Sequence, residues 1–212
     1  MKKVLVIIAH PDDEVIGLGG TIAKHTRNGD KVYLSVITDG SSVGSDLDEL
    51  NIIEKRKKEC LLSSRMLGIT EVFFHNFKDA KLDILPQIEL NKAILIDIKK
   101  VSPDIVYTHN EYDLHSDHRA VSNATRIATR REVKEVYMYE IISSSINFKP
   151  DIYNDISKDF DKKVGAMKCY KSILKESPHP LSIESLTAIS NIRGIESGLK
   201  FAEAFKSIII IK

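Results

Sequence analysis

Two short stretches concentrate the residue types that could do chemistry. The first is His10-Pro11-Asp12-Asp13-Glu14, one imidazole and three carboxylates within five positions. Like charges this dense repel one another unless something positive sits among them. A divalent cation meets that need, with His10 and one aspartate as ligands and the other aspartate left for proton transfer. A structural role is open to the same residues, because Asp12, Asp13 and Glu14 could equally cap a following helix and complement its dipole. The second stretch runs from His109 to Ala120 and contains His115-Ser116-Asp117-His118. His115 and His118 are three apart, so a helix opening at Ser116 turns both toward one place. Together the two stretches offer three ligands from two loops and leave a fourth position open, which is the layout of a hydrolytic zinc site. A structural site closes with four protein ligands, usually including cysteine.

Both stretches follow apolar runs that can hold them still. Val4 to Ala9 is a short, β-branched run that stops at Pro11, as a buried parallel strand does when it delivers its end into a βα loop. In open α/β sheets that end carries the chemistry. Asp104 to Thr108 does the same for the second stretch. Between and after them the pattern alternates: a helix over Val15–Asn28, strands over Lys31–Thr38 and Glu71–His75, and helices over Leu47–Leu67 and Pro86–Val101. Further on come a helix to about Arg131, strands over Glu135–Ile141 and near Asp151–Ile156, and helices over 158–174 and 183–193. Ile208-Ile209-Ile210-Ile211 reads as a late buried strand. Strands alternating with helices predict one Rossmann-like three-layer α/β/α domain over residues 1–212, with a mostly parallel sheet. Gly17, Gly19 and Gly20 in the first helix imply close backbone approach to a neighbour. Their spacing is wrong for a dinucleotide fingerprint, and an acidic loop repels a pyrophosphate.

Composition narrows the partners. With 31 basic against 30 acidic residues the net charge is only +1, too balanced for a nucleic-acid footprint. A small molecule is the expected partner, and self-association into a homo-oligomer stays open. Cys60 and Cys169 form no metal-type pair, which fits core filler in a reducing cytoplasm. No stretch reaches the roughly 18 apolar residues of a membrane span, and the opening apolar run is broken by His10-Pro11-Asp12-Asp13 before any cleavage site of an export signal.

The residues resemble the PIG-L/LmbE-type zinc-dependent de-N-acetylases. Ala9-His10-Pro11-Asp12-Asp13-Glu14, with Gly19-Gly20-Thr21-Ile22-Ala23 downstream, matches the first signature of that family. His115-Ser116-Asp117-His118-Arg119-Ala120 matches the second, with Ser116 where members often carry proline. Weaker matches extend the likeness over nearly the whole chain: Thr38-Asp39-Gly40, Arg56 with Glu59, Asp79, Arg193-Gly194 and Phe201 to Phe205. The resemblance implies His10, Asp13 and His118 as ligands of a Zn2+ cofactor and Asp12 as general base. It implies His115 as the group that stabilises the oxyanion and assists the leaving amine, and Asp117 as the partner that orients His115. Arg56 and Asp79 match positions along the substrate pocket, and the implied reaction frees an amine and acetate from an N-acetylated amino sugar such as an N-acetylglucosamine conjugate.

Other readings stand beside it. A metal-dependent hydrolase of another amide or ester would use the same residues, and a metallophosphoesterase would need more ligands around two metals. An inactive sugar-binding homologue would keep the ligands without needing Asp12. The remaining histidines get plainer expectations: His25 on an exposed helix face, His75 at a strand end, and His109 and His179 either lining the pocket or serving as ordinary polar residues. Substrate choice is expected to lie in the loops 39–48, 78–84 and 143–149.

Overall fold

The computed structural model describes residues 1–42 and 49–211. The expected start of the second helix at Leu47, and most of the loop 39–48, lie outside the described residues. Strands β1 (Lys3–Ile8), β2 (Lys31–Thr38), β3 (Glu71–Phe77), β4 (Ile105–His109), β5 (Glu135–Tyr139), β6 (Ile152–Asp155) and β7 (Ala202–Ile210) form one sheet in the order β3-β2-β1-β4-β5-β7-β6. The first five are parallel; β7 runs antiparallel to both β5 and β6.

The continuous apolar run of β1 follows from burial on both faces. Val4, Val6 and Ile8 point into one core with α1 (Asp13–Arg27), α2 (Glu49–Leu67), α5 (Phe160–Met167) and the start of α6 (Ile183–Ser197). Leu5, Ile7 and Ala9 point into the other core, against α3 (Gln87–Val101) and α4 (Ser116–Thr129). After β1 the chain winds outward through β2 and β3, then returns to lay β4 on the other side of β1. The loops after β1 and β4 therefore meet at the switch point where a crevice opens at the carboxyl ends of the strands. No helix among the described residues is long and apolar enough to cross a membrane.

Three expectations are corrected. The isoleucine run is the tail of a nine-residue strand and is half-buried to exposed, Ile210 being 46% exposed. The reason is that β6 pairs only with Ala202–Phe205, so the tail has no outer neighbour. The helix expected over 158–174 ends at Met167, after which the chain breaks into turns that drive Tyr170 fully into the core. His25 is half-buried, 2.8 Å from Asp30 Oδ2 and 3.2 Å from the Tyr107 hydroxyl.

The close approach implied by the early glycines is present. A Cβ on Gly17 would stand 2.4 Å from the Tyr139 ring, and one on Gly20 2.7 Å from Ile156. Helix α1 is itself broken at Leu18, whose φ of −148° and ψ of 25° leave the helical region.

Candidate metal centre and active site

The turn after β1 is held in a conformation that an L residue rarely adopts. Asp12 has φ 115° and ψ −27°, a strain of about 1–3 kcal/mol that persists only when its surroundings over-determine it. Those surroundings are visible: Glu14 Oε2 accepts the Asp12 N–H at 3.1 Å, and Asp13 Oδ2 accepts the His10 N–H at 2.8 Å. Glu14 is completely buried and is fixed by the Tyr170 hydroxyl at 2.5 Å and Ser63 Oγ at 2.9 Å. The Asp12 side chain makes no capping hydrogen bond to α1. Its carboxylate lies 3.3 Å from Arg56 Nη2. Burial pushes the Asp12 carboxyl up to about 7 against the pull of Arg56, the range in which a general base works at neutral pH.

Three of the predicted ligands converge. His10 Nδ1 is 3.3 Å from Asp13 Oδ2, His118 Nε2 is 3.5 Å from Asp13 Oδ1, and the two imidazole nitrogens are 3.2 Å apart. Asp13 meets the two histidines through different oxygens, and the groups whose single donor atoms all lie within 4.8 Å of one another are His10–His115–His118, Asp13–His109–His118 and His10–Asp79–Asp117, so the described residues offer more than one donor set for a metal ion. The other ring nitrogen of each histidine faces carboxylates. His10 Nε2 lies 3.1 Å from Asp79 Oδ1 and 3.2 Å from Asp117 Oδ2, and His118 Nδ1 lies 3.1 Å from Asp113 Oδ1. Of these contacts the one between His10 Nε2 and Asp117 Oδ2 is a hydrogen bond, the kind of contact by which a carboxylate fixes a histidine tautomer. Burial alone would lower the pKa of His10, but Asp117, Asp13 and Asp79 outweigh it and raise it well above the ordinary value. Asp13 is held well below the carboxylate range, because His118 and His109 more than offset its burial.

His115 caps α4 and lies on the cavity side of the ligands, its ring 4.6 Å from those of both His10 and His118. Its Nδ1 accepts the Asp117 N–H at 3.2 Å, which leaves Nε2 as the nitrogen able to carry a hydrogen. Burial, reinforced by His10 and His118, lowers its pKa.

The expected pairing of the Asp117 carboxylate with His115 is not found. That carboxylate is drawn to His10 because Ala80 and Leu82 donate their backbone N–H groups to it at 2.8 and 3.0 Å. Only its backbone serves His115. Arg56, 2% exposed, donates through Nη2 to Pro11 O at 2.5 Å, while its Nε and Nη1 have no partner among the described residues. Asp79 accepts the Ser42 N–H at 3.1 Å as well as facing His10.

A cavity of about 220 Å³ opens on these groups, lined by Asp12, Asp13, Arg56, Asp79, His115 and His118 with Ile16, Ile141, Ser143, Ser144 and Leu181. Ser143 and Ser144 belong to one of the loops expected to choose the substrate. A larger groove of about 760 Å³ between α3 and α4 contains no histidine, so volume alone does not mark the site.

Sequence reasoning leaves His109 open between pocket wall and ordinary polar residue, and assigns nothing to Asp113. His109 is fully buried, accepts the Ala9 N–H at 2.9 Å, and sits 3.0 Å from the Tyr139 hydroxyl and 3.3 Å from Asp13 Oδ2. Asp113 accepts the His115 N–H at 2.9 Å in addition to facing His118. An acid five residues before a ligating histidine was the available signal for Asp113. His179 is exposed, accepts the Leu181 N–H through Nδ1, and does not line the cavity.

The chain belongs to the GlcNAc-PI de-N-acetylase (PIG-L) family, whose model matches residues 5–129. It is 30% identical over 97% of its length, and 83% of the relative's, to the diacetylchitobiose deacetylase of Thermococcus kodakarensis. The structure of the N,N'-diacetylchitobiose deacetylase of Pyrococcus horikoshii in complex with an inhibitor superposes with a TM-score of 0.86 at 26% identity, covering 98% of this chain and 84% of that one. A relative named for different chemistry, the 4-oxalmesaconate hydratase of Pseudomonas putida, is 26% identical over 79% of this chain and 72% of its own.

Proposed function

We propose that the protein is a zinc-dependent hydrolase that removes the acetyl group from an N-acetylated amino sugar or its conjugate, giving a free amine and acetate. The observation that carries this reading is the convergence of His10 Nδ1, Asp13 and His118 Nε2 beside the buried, strained Asp12. Bound by those three residues, zinc supplies a Lewis acid and a water whose pKa falls toward about 7. Asp12 lines the same cavity without belonging to the converging triad, and its carboxyl, near neutrality, takes the proton of the attacking water. The Nε2–H of His115 donates to the oxyanion of the tetrahedral intermediate. Asp12 then returns its proton to the departing nitrogen, so no net proton is stored on the protein. Arg56, on the cavity wall beside Asp12, places its positive charge where a polar substrate would sit. Asp79 and Asp117 hold His10 in the tautomer that binds metal.

Two unpaired cysteines, one buried and one half-buried, support a reducing compartment, the cytoplasm. Because one relative is named for hydration, the test must read the bond broken. Primary-amine release is measured over a panel of N-acetylated mono- and disaccharides with zinc added. Amine and acetate in equal amounts from at least one sugar is the expected result. Hydration of an unsaturated acid with no amine from any sugar would reverse the reading.

A further inference from the structure

The break in α1 is filled by an ion pair that neither the metal site nor the cavity uses. In an unbroken helix the Gly20 N–H would donate to the Ile16 carbonyl four residues earlier. Here the Gly20 N–H donates to Glu203 Oε1 at 2.9 Å, and the Ile16 carbonyl accepts from Lys163 Nζ at 3.1 Å. Lys163 Nζ and Glu203 Oε1 are 2.5 Å apart. A carboxylate from β7 and an ammonium from α5 are therefore wedged into a single rung of the helix. Glu203 Oε2 also accepts the Thr21 N–H at 2.6 Å, so both donors freed by the break are satisfied. The two side chains are 1% and 3% exposed, and insertion into the hydrogen-bond ladder is an established cause of a sharp kink.

The break divides α1 into two parts with different neighbours. The part after Leu18 packs through Gly20 on Ile156 and is tied at its far end by Arg27 to Asp159 at 2.9 Å. The part before it carries Asp13 and packs through Gly17 on Tyr139, whose hydroxyl touches both Ile7 O and His109. Tipping that first turn relative to the rest moves Asp13 against His10, His109 and His118.

We infer that Lys163 and Glu203 are positioning residues for the metal centre: their ion pair, inserted between Ile16 and Gly20, holds the first turn of α1 where Asp13 completes the ligand set. The inference rests on the reading of His10, Asp13 and His118 as metal ligands. Replacing the pair by apolar side chains of similar size, Lys163→Met with Glu203→Leu, removes both charges together and lets the rung close. Replacing a buried ion pair in this manner is often neutral for stability, so the protein should fold with a melting temperature near that of the wild type.

Zinc affinity is measured by competition with a chromophoric chelator, on the metal-free protein, beside the melting temperature. The double variant is expected to bind zinc roughly 10–100-fold more weakly, the range seen when groups that orient ligands are lost. Arg27→Ala, which loosens only the far end of α1, should lower the melting temperature and leave zinc affinity unchanged. Wild-type zinc affinity in the folded double variant would overturn the inference. Failure of the double variant to fold would overturn it as well, by making the pair an element of stability instead of position. A wild-type protein that binds no zinc would defeat the ligand assignment itself, a result separate from either outcome.

Discussion

On the side of the sheet where α3 packs, His75, Asp97 and Ser35 form a cluster that by residue type alone rivals the one at the ends of β1 and β4. His75 Nε2 lies 2.7 Å from Asp97 Oδ2, and Ser35 Oγ donates to the same oxygen at 2.6 Å. Connectivity separates the two clusters. The aspartate stands between serine and histidine, so the hydroxyl has no base on it, which a nucleophile requires. Neither the 220 Å³ cavity nor the α3–α4 groove is lined by any of the three. At the other cluster His10 Nδ1 and His118 Nε2 stand 3.2 Å apart, each is 3.3–3.5 Å from one or the other oxygen of Asp13, and a strained carboxyl stands beside them. Mutual satisfaction away from any cavity marks the structural cluster; histidines and carboxylates crowded onto the wall of a cavity mark the candidate site.

The sharpest way to break that contrast is to remove a converging ligand. Asp13→Ala and His118→Ala each delete one of the three proposed ligands, so zinc content should fall to background and amine release with it. Metal analysis on the purified variants checks this, and a His118→Ala protein retaining a full complement of zinc would dissolve the distinction between the clusters.

Next in size are the groups beside the triad. Asp12→Asn and His115→Ala should keep zinc yet lose roughly two to four orders of magnitude in turnover, as for removal of a general base or an oxyanion donor. If Asp12 were only a helix cap, the same change would cost about 1 kcal/mol of stability and leave activity intact. The missing cap bond argues for the first outcome, and turnover measured with melting temperature on one sample separates the two.

The contrast sharpens further at the outward faces of the histidines. Asp113→Asn should weaken zinc binding by about 10–100-fold, because Asp113 supports His118 without touching the metal position. Chelator competition reads this directly, and unchanged affinity would demote Asp113 to a loop residue that merely accepts from Ser145 and His115.

How much of this was open to sequence reading depends on whether a signal was local. The two loops were legible because a β-branched run, a proline and a density of like charges lie side by side in the chain, and the order of strands and helices followed from alternation. Pairings across the fold were not. Asp117 sits two residues from His115, yet its carboxylate goes to His10, because the N–H groups of Ala80 and Leu82 happen to meet it. Nothing in the spacing of Lys163 and Glu203 announces that they meet inside α1. The end of α5 was misjudged for the same reason: the pull on Tyr170 comes from Glu14, 156 positions away.

The smallest expected effect tests the quiet side of the comparison. Ser35→Ala removes one hydrogen bond to Asp97, a bond to a charged acceptor in a buried place, which contributes about 1.5–3 kcal/mol. Asp97 keeps His75, at 2.7 Å, so the carboxylate is not stranded, and the loss should fall toward the lower end. For a chain of this size 1 kcal/mol moves the melting temperature by about 2–4 °C, so thermal unfolding should shift by a few degrees. Ser35 lies on β2 and the metal ligands on the turn after β1 and on α4, and the hydrogen bond it makes points away from them to α3. Turnover and zinc affinity, read well below the unfolding transition, should therefore match the wild type. A drop in turnover of more than tenfold at full zinc occupancy would mean that the two clusters communicate through the sheet, and that satisfied hydrogen bonding is not enough to classify a buried histidine–carboxylate pair as structural.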